Sequence, residues 1–197
     1  MNDQAREIAA SAARLVVEEG LEYGPAKRRA ARDFGRRAEL PDNEAVEDAV
    51  REHLALFCAD TQPAELRALR KLALTWMRRL AAFRPHLAGA AWRGTATRLS
   101  PLLLDLYCDD PKSAEITLIN LELRYDSEGG SGGGDETPVL TLACRSPELG
   151  EMVTVHLLLH DHDELRGALK ADSSGRSWRG DIASLERLLG VEGEVQT

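Results

Sequence analysis

From Asp3 to Glu19 the chain reads DQAREIAASAARLVVEE, and its apolar positions Ile8, Ala12, Leu15 and Val16 fall on one face of a helix. The segment is built from strong helix formers, and Gly20 supplies the stop. A second helix is predicted over Tyr23–Leu40, carrying the run AKRRAARDFGRR. The third opens at Pro41-Asp42-Asn43, where Asp42 or Asn43 caps it and Glu44, Glu47 and Asp48 suit its positive end. Pro63 marks a break before a fourth, AELRALRKLALTWMRRLAAF, with an apolar stripe through Leu66, Leu69, Leu72, Leu74, Trp76 and Leu80.

After Pro85 the pattern changes. Leu102–Tyr107 and Met152–His160 read as buried strands, and Pro138–Ala143 as a third. Glu122–Tyr125 and the PVLTLA segment are predicted to pair antiparallel across Gly129–Gly134, a glycine-rich tip that holds no regular structure. A helix over Pro111–Ile119 and another over Asp181–Leu189 complete an α+β half. The expected organisation is a helical bundle over 1–87 followed by a mixed sheet with flanking helices over 88–197.

Charge divides along the same line. Residues 1–98 carry 17 Lys and Arg against 14 Asp and Glu, whereas residues 99–197 carry 8 against 19. A net charge of −8 argues against generic nucleic-acid binding, which rests on neutralising phosphates. Aromatic residues make up only 5%, too few for a base-stacking surface. No run of roughly 18 apolar residues occurs, which excludes a membrane-spanning helix. Cys58, Cys108 and Cys144 are widely spaced and form no CxxC pair, and MNDQAREIAASAARL lacks a basic region followed by an apolar run. Reduced thiols and a cytoplasmic location are the expectation.

Candidate chemistry concentrates in Trp92–Asp110, WRGTATRLSPLLLDLYCDD. A Gly followed by a small hydroxylated residue lets backbone amides and a hydroxyl approach a phosphate. Carboxylates at alternate positions of a strand face the same way and can hold a divalent cation. Gly94-Thr95, then Ser100 and a strand bearing Asp105, resemble the signature of the nucleotidyltransferase superfamily that includes DNA polymerase beta and the minimal nucleotidyltransferases. The likeness covers roughly residues 88–165: a strand, a helix (DPKSAEITLINL), a hairpin, and the strand MVTVHLLLHD.

The resemblance implies a nucleotidyltransferase-like sheet, magnesium bound with a nucleoside triphosphate, and phosphate contacts from Gly94 and Thr95; Arg98 and Lys112 flank the strand, where each can meet phosphate oxygens by charge-assisted bonds. It also departs from the family pattern. Pro101 and Leu103 occupy the positions of the two strand acids, only Asp105 remains as a catalytic or metal-ligating candidate, and the last strand brings no acid before Asp161. A looser likeness runs through RPHLAGAAWRGTA, DDPKSAEITLIN and HDELRG. These are similar to a group of bacterial proteins of about this length, some labelled UDP-N-acetylmuramate–alanine ligase. Such ligases need a glycine-rich loop ending in Gly-Lys-Thr/Ser, and the chain has none.

Each candidate has a plainer reading beside it. Gly94-Thr95 also serves as a simple turn, and Arg98 and Lys112 as solvated charge. Asp105 on a central strand needs a partner or a cleft, since an unpaired buried carboxylate is costly. His156, His160 and His162 share strand parity and offer a transition-metal set, or a tolerant exposed face. Arg28, Arg29, Arg32 and Arg36, within a run that also holds Lys27 and Arg37, suit docking to RNA or a protein, or pairing with the acidic half. Three functions follow. The first is a nucleotidyltransferase-like protein without its metal acids that binds a nucleotide or a partner. The second is an active nucleotidyl- or adenylyl-transferase using Asp105 with Asp109 or Asp161. The third is an adaptor docking through its basic helices. The first ranks ahead of the second, because two-metal chemistry does not tolerate loss of both strand acids.

Overall fold

The computed structural model describes residues 3–35, 38–128, 137–167 and 175–195. The chain divides into two compact units, Met1–Ala64 and Glu65–Thr197, each with its own apolar core.

In the first unit, α1 (Asp3–Glu19) packs against both α2 (Tyr23–Ala30) and α3 (Asn43–Phe57). Ile8, Ala9, Ala12 and Ala13 of α1 meet Ala26 and Ala30 of α2 and Val46, Val50 and Leu54 of α3, all buried. Small alanine side chains let these helices approach closely. Gly20 ends α1 at φ 70°, and the Leu21 N–H reaches back to the Leu15 carbonyl at 3.4 Å. Asp42 caps α3, accepting the Ala45 N–H at 2.7 Å. The second helix is shorter than its sequence suggests. It stops at Ala30, continues as a 3₁₀ turn over Ala31–Phe34, and turns away at Gly35, whose φ of 85° no helix continues. Arg36 and Arg37 lie outside the described residues.

The fourth helix, α4 (Gln62–Arg79), belongs to the second unit for nearly all of its length. Leu69, Leu72, Ala73, Trp76 and Met77 are buried among the leucines of the sheet. The division expected between residues 87 and 88 therefore falls between 64 and 65. Burial decides which core an element joins, and α4 turns its stripe to strands rather than to the other helices.

The second unit contains β1 (His86–Ala88), α5 (Gly89–Arg93), β2 (Leu102–Tyr107), α6 (Pro111–Asn120), β3 (Asp126–Glu128), β4 (Val139–Arg145), β5 (Met152–His160), β6 (Arg179–Gly180) and α7 (Ile182–Val195). The sheet order is β3-β4-β5-β2-β1-β6. Among the described residues only β2 and β5 run parallel and every other neighbour is antiparallel, so the sheet is mixed and the class is α+β. β1, α5 and β6 are too short for periodicity to reveal. The strand expected over Glu122–Tyr125 begins only at Asp126, because Glu122 sits at φ 55° in the turn leaving α6. The glycine run 129–134 lies outside the described residues.

One sheet face builds the core: Leu102, Leu104 and Leu106 of β2, Leu140 and Leu142 of β4, and Val155 and Leu157 of β5 pack with α4 and with Ala114 and Leu118 of α6. Each leucine so buried contributes roughly 1.5–3 kcal/mol. Among the described residues no helix is long and apolar enough to cross a membrane.

Candidate functional site

Strand alternation sends Leu103, Asp105 and Tyr107 to the sheet face opposite the core. The register places His86 of β1 beside Asp105 and His160 of β5 beside Tyr107, while Arg179 of β6 neighbours Ala88 of β1. Four strands thus deliver charged and aromatic side chains to one end of this face.

Asp105 is the centre of the group and is only 3% exposed. His160 donates its Nε2–H to Asp105 Oδ1 at 2.9 Å. Arg179 Nη1 lies 2.9 Å from Oδ2, an ion pair, while its hydrogen bond goes to Tyr107 Oη at 2.7 Å. Oδ2 itself accepts no hydrogen bond among the described residues, and Arg179 Nε donates none. The His160 ring stacks on Tyr107 with centroids 5.3 Å apart, and its Nδ1 faces Glu164 Oε2 at 3.4 Å. His86 meets Tyr107 edge-on and donates from Nδ1 to the Arg84 carbonyl at 2.9 Å.

The hydrogen bond to Asp105 holds the His160 imidazolium above its ordinary range, against the opposing pull of burial. Burial raises the Tyr107 phenol, with the Arg179 hydrogen bond working the other way. Nearby, Asp181 accepts the Ser184 N–H at 2.8 Å at the start of α7, and Ser184 lowers its pKa.

The candidate phosphate contacts are not brought together. Gly94 takes φ 85° and closes α5. The N–H groups of Gly94, Thr95 and Ala96 all point to the Ala90 carbonyl, at 2.9, 2.9 and 3.2 Å. These amides serve a helix end and are already committed. The Thr95 hydroxyl is buried and finds no partner among the described residues. Arg98 pairs with Glu151 at 3.0 Å before β2 begins, and the Lys112 N–H is held by the capping carboxylate of Asp110 at 3.0 Å after β2 ends. β2 alone spans about 17 Å, so these two cations stand at opposite ends of it.

The metal candidates fare similarly. His156 shares a 2.9 Å hydrogen bond with Thr141 Oγ1, His160 is engaged by Asp105, and His162 lies beyond the strand in the 3₁₀ turn His162–Gly167. Asp161 uses Oδ1 to accept the Asp163 N–H at 2.8 Å. No group of three or more His, Cys, Asp or Glu side chains among the described residues is arranged to hold a metal. Asp105 does not fit magnesium, because the guanidinium against Oδ2 occupies the position a cation would take and repels another. Where the resemblance implies a metal ligand, the structure shows Asp105 buried with Arg179 on Oδ2 and His160 on Oδ1.

Sequence reasoning did not single out Tyr107, His86 or Arg179. Tyr107 was legible, since it shares strand parity with Asp105; His86 and Arg179 sit on strands of three and two residues that give no pattern. In the basic run, Lys27 Nζ bonds Asn43 Oδ1 at 2.7 Å and the Pro41 carbonyl at 3.1 Å, and Arg29 bonds Glu19. Those two are taken up inside the helical unit, while Arg28 and Arg32 are exposed. No protein-family model matches the chain, and no curated protein matches it.

Proposed function

We propose that this chain is a nucleotidyltransferase-like protein that does not transfer nucleotides and works by binding a nucleotide or a protein partner. The observation that carries the reading is the ion cluster at Asp105. The one acid on the strand where the resemblance requires two is neutralised within the protein by Arg179, with His160 on its other oxygen. Two-metal phosphoryl chemistry needs carboxylates free to hold cations, and this one is not free. Binding does not need that carboxylate: Leu103, His156 and Leu158 are half-buried on the same sheet face and stay partly open to a ligand.

The test is a pair of assays on the full chain. Incubation with labelled ATP, GTP, CTP or UTP and magnesium or manganese should transfer no label to protein or tRNA. Metal-dependent transfer that disappears in Asp105→Ala overturns the reading in favour of an active transferase. Calorimetric titration with the same nucleotides, with magnesium and with EDTA, then separates the ligands. Heat that persists in EDTA identifies a nucleotide site, and no heat for any nucleotide leaves the protein partner.

A further inference from the structure

We propose that the open edge of β4 beside α4 is a docking groove for an extended, acidic segment of a partner protein, on a surface separate from the Asp105 cluster.

The edge follows from the ladder. β4 pairs with β5 from Val139 to Arg145, but with β3 only as far as Thr141. The Ser146 N–H bonds the Glu151 carbonyl and the Leu159 N–H bonds the Pro138 carbonyl. In an antiparallel pair, residues facing the partner alternate, so even-numbered residues turn their bonding groups to β5 and odd-numbered ones turn away. Val139 and Thr141 meet β3. Ala143 and Arg145 lie past its end, both exposed, and present their N–H and carbonyl groups along an edge that is unpaired among the described residues.

A cavity of ≈ 450 Å³ lies along this edge. Leu72 and Trp76 of α4 and Leu123 line it on the apolar side, and Lys71, Arg79 and Arg145 stand around it. An open strand edge with a cavity alongside it is a place where an extended peptide adds as a further strand. Main-chain bonds supply affinity there and flanking side chains supply selectivity.

Charge selects the occupant. Lys71 is satisfied by Glu148 at 2.6 Å, the one acid in the lining. The Arg79 guanidinium lies over the Trp76 ring, 5.1 Å from its centroid, and Arg145 has no ion-pair partner among the described residues. Arg79 and Arg145 thus have no carboxylate partner among the described residues, in a chain whose residues 99–197 hold only 8 Lys and Arg against 19 Asp and Glu. Edge-to-edge pairing of two copies would bring Arg145 and Arg79 of each toward those of the other, which like charge opposes. An acidic strand meets no such penalty.

The probe is a blocked hexapeptide alternating valine and glutamate, compared with its valine–lysine counterpart, titrated into the full chain and followed by amide chemical shifts and fluorescence anisotropy. The acidic peptide should bind, shift the Ala143 and Arg145 amides, and lose affinity as salt is raised. Arg145→Glu, at an exposed position that leaves the core intact, should weaken it several-fold. Arg79→Glu with Arg145→Glu should weaken it about tenfold or more and favour the lysine peptide. The proposal is overturned if neither peptide binds at millimolar concentration or if both bind equally. Shifts lying away from this edge, or sedimentation showing that two copies pair through it, overturn it as well.

Discussion

His160 on β5 and Asp105 on β2 share a 2.9 Å hydrogen bond across the one parallel pair of strands in the sheet, with Arg179 on the carboxylate's other oxygen and Glu164 on the ring's other nitrogen. His160 is protonated more readily in this setting than in the unfolded chain, so its pairing stabilises the fold fully below the ordinary imidazole value of 6.5. That contribution is lost as pH rises through the higher folded value. Urea midpoints of the native chain should fall from pH 6 upward relative to those of His160→Gln, and Asp105→Asn should remove the pH-dependent part while lowering stability throughout. Parallel pH profiles for all three proteins would falsify the linkage.

Gly180 packs directly against the Trp92 ring. A Cβ there would stand 2.0 Å from Cη2 of Trp92, whose indole N–H bonds the Ser177 carbonyl at 3.0 Å. Gly180→Ala should cost about 2 kcal/mol or more by overpacking. Gly190, in α7, has nothing within 4 Å of its added Cβ, and Gly190→Ala should stabilise by ~0.5–1 kcal/mol. Denaturant melts that move both variants the same way would contradict this packing.

Arg70 is buried and closes the end of α5, donating Nε–H to the Ala91 carbonyl at 2.8 Å and Nη2–H to the Trp92 carbonyl at 3.0 Å. A helix this short cannot satisfy its own terminal carbonyls. Arg70→Met keeps the apolar stem and removes both donors, with an expected loss of about 2 kcal/mol. An unchanged melting midpoint in Arg70→Met would show that those carbonyls do not need the guanidinium.

The thiols should separate by reactivity. Burial pushes Cys144 up to about 11 and also raises Cys108. At pH 8 roughly one Cys144 in a thousand is then thiolate. Cys58 is only partly buried. A disulfide reagent should titrate one thiol quickly in the native chain and the other two only after denaturant, and Cys58→Ala should remove the fast phase. Rapid release from more than one site would sink this assignment.

How far the site was legible depends on element length. Leu102–Tyr107 and Met152–His160 declared themselves by alternation, and the parity of Asp105 and His160 followed from it. Arg179 sits 74 positions after Asp105, on a strand of two residues, and nothing local brings it there. The Gly94-Thr95 motif was visible because a glycine followed by a small hydroxylated residue stands out in any sequence. A glycine after a short helix turns the chain equally well for a phosphate or for the helix end, and only the Ala90 carbonyl shows which of the two it serves here.

By itself, the order of residues determined what is local and repeated: the first and third helices, the cap at Asp42, the three longer strands and the α+β class. Hydrophobic period and capping act over a few residues, so they can be read along the chain. The tertiary structure alone decided that α4 joins the sheet, that Asp105 is paired with an arginine and a histidine, and that β4 extends past the end of β3 among the described residues. Each of these rests on contacts between distant segments, whose free energy depends on which surfaces meet and is carried by no single stretch of sequence.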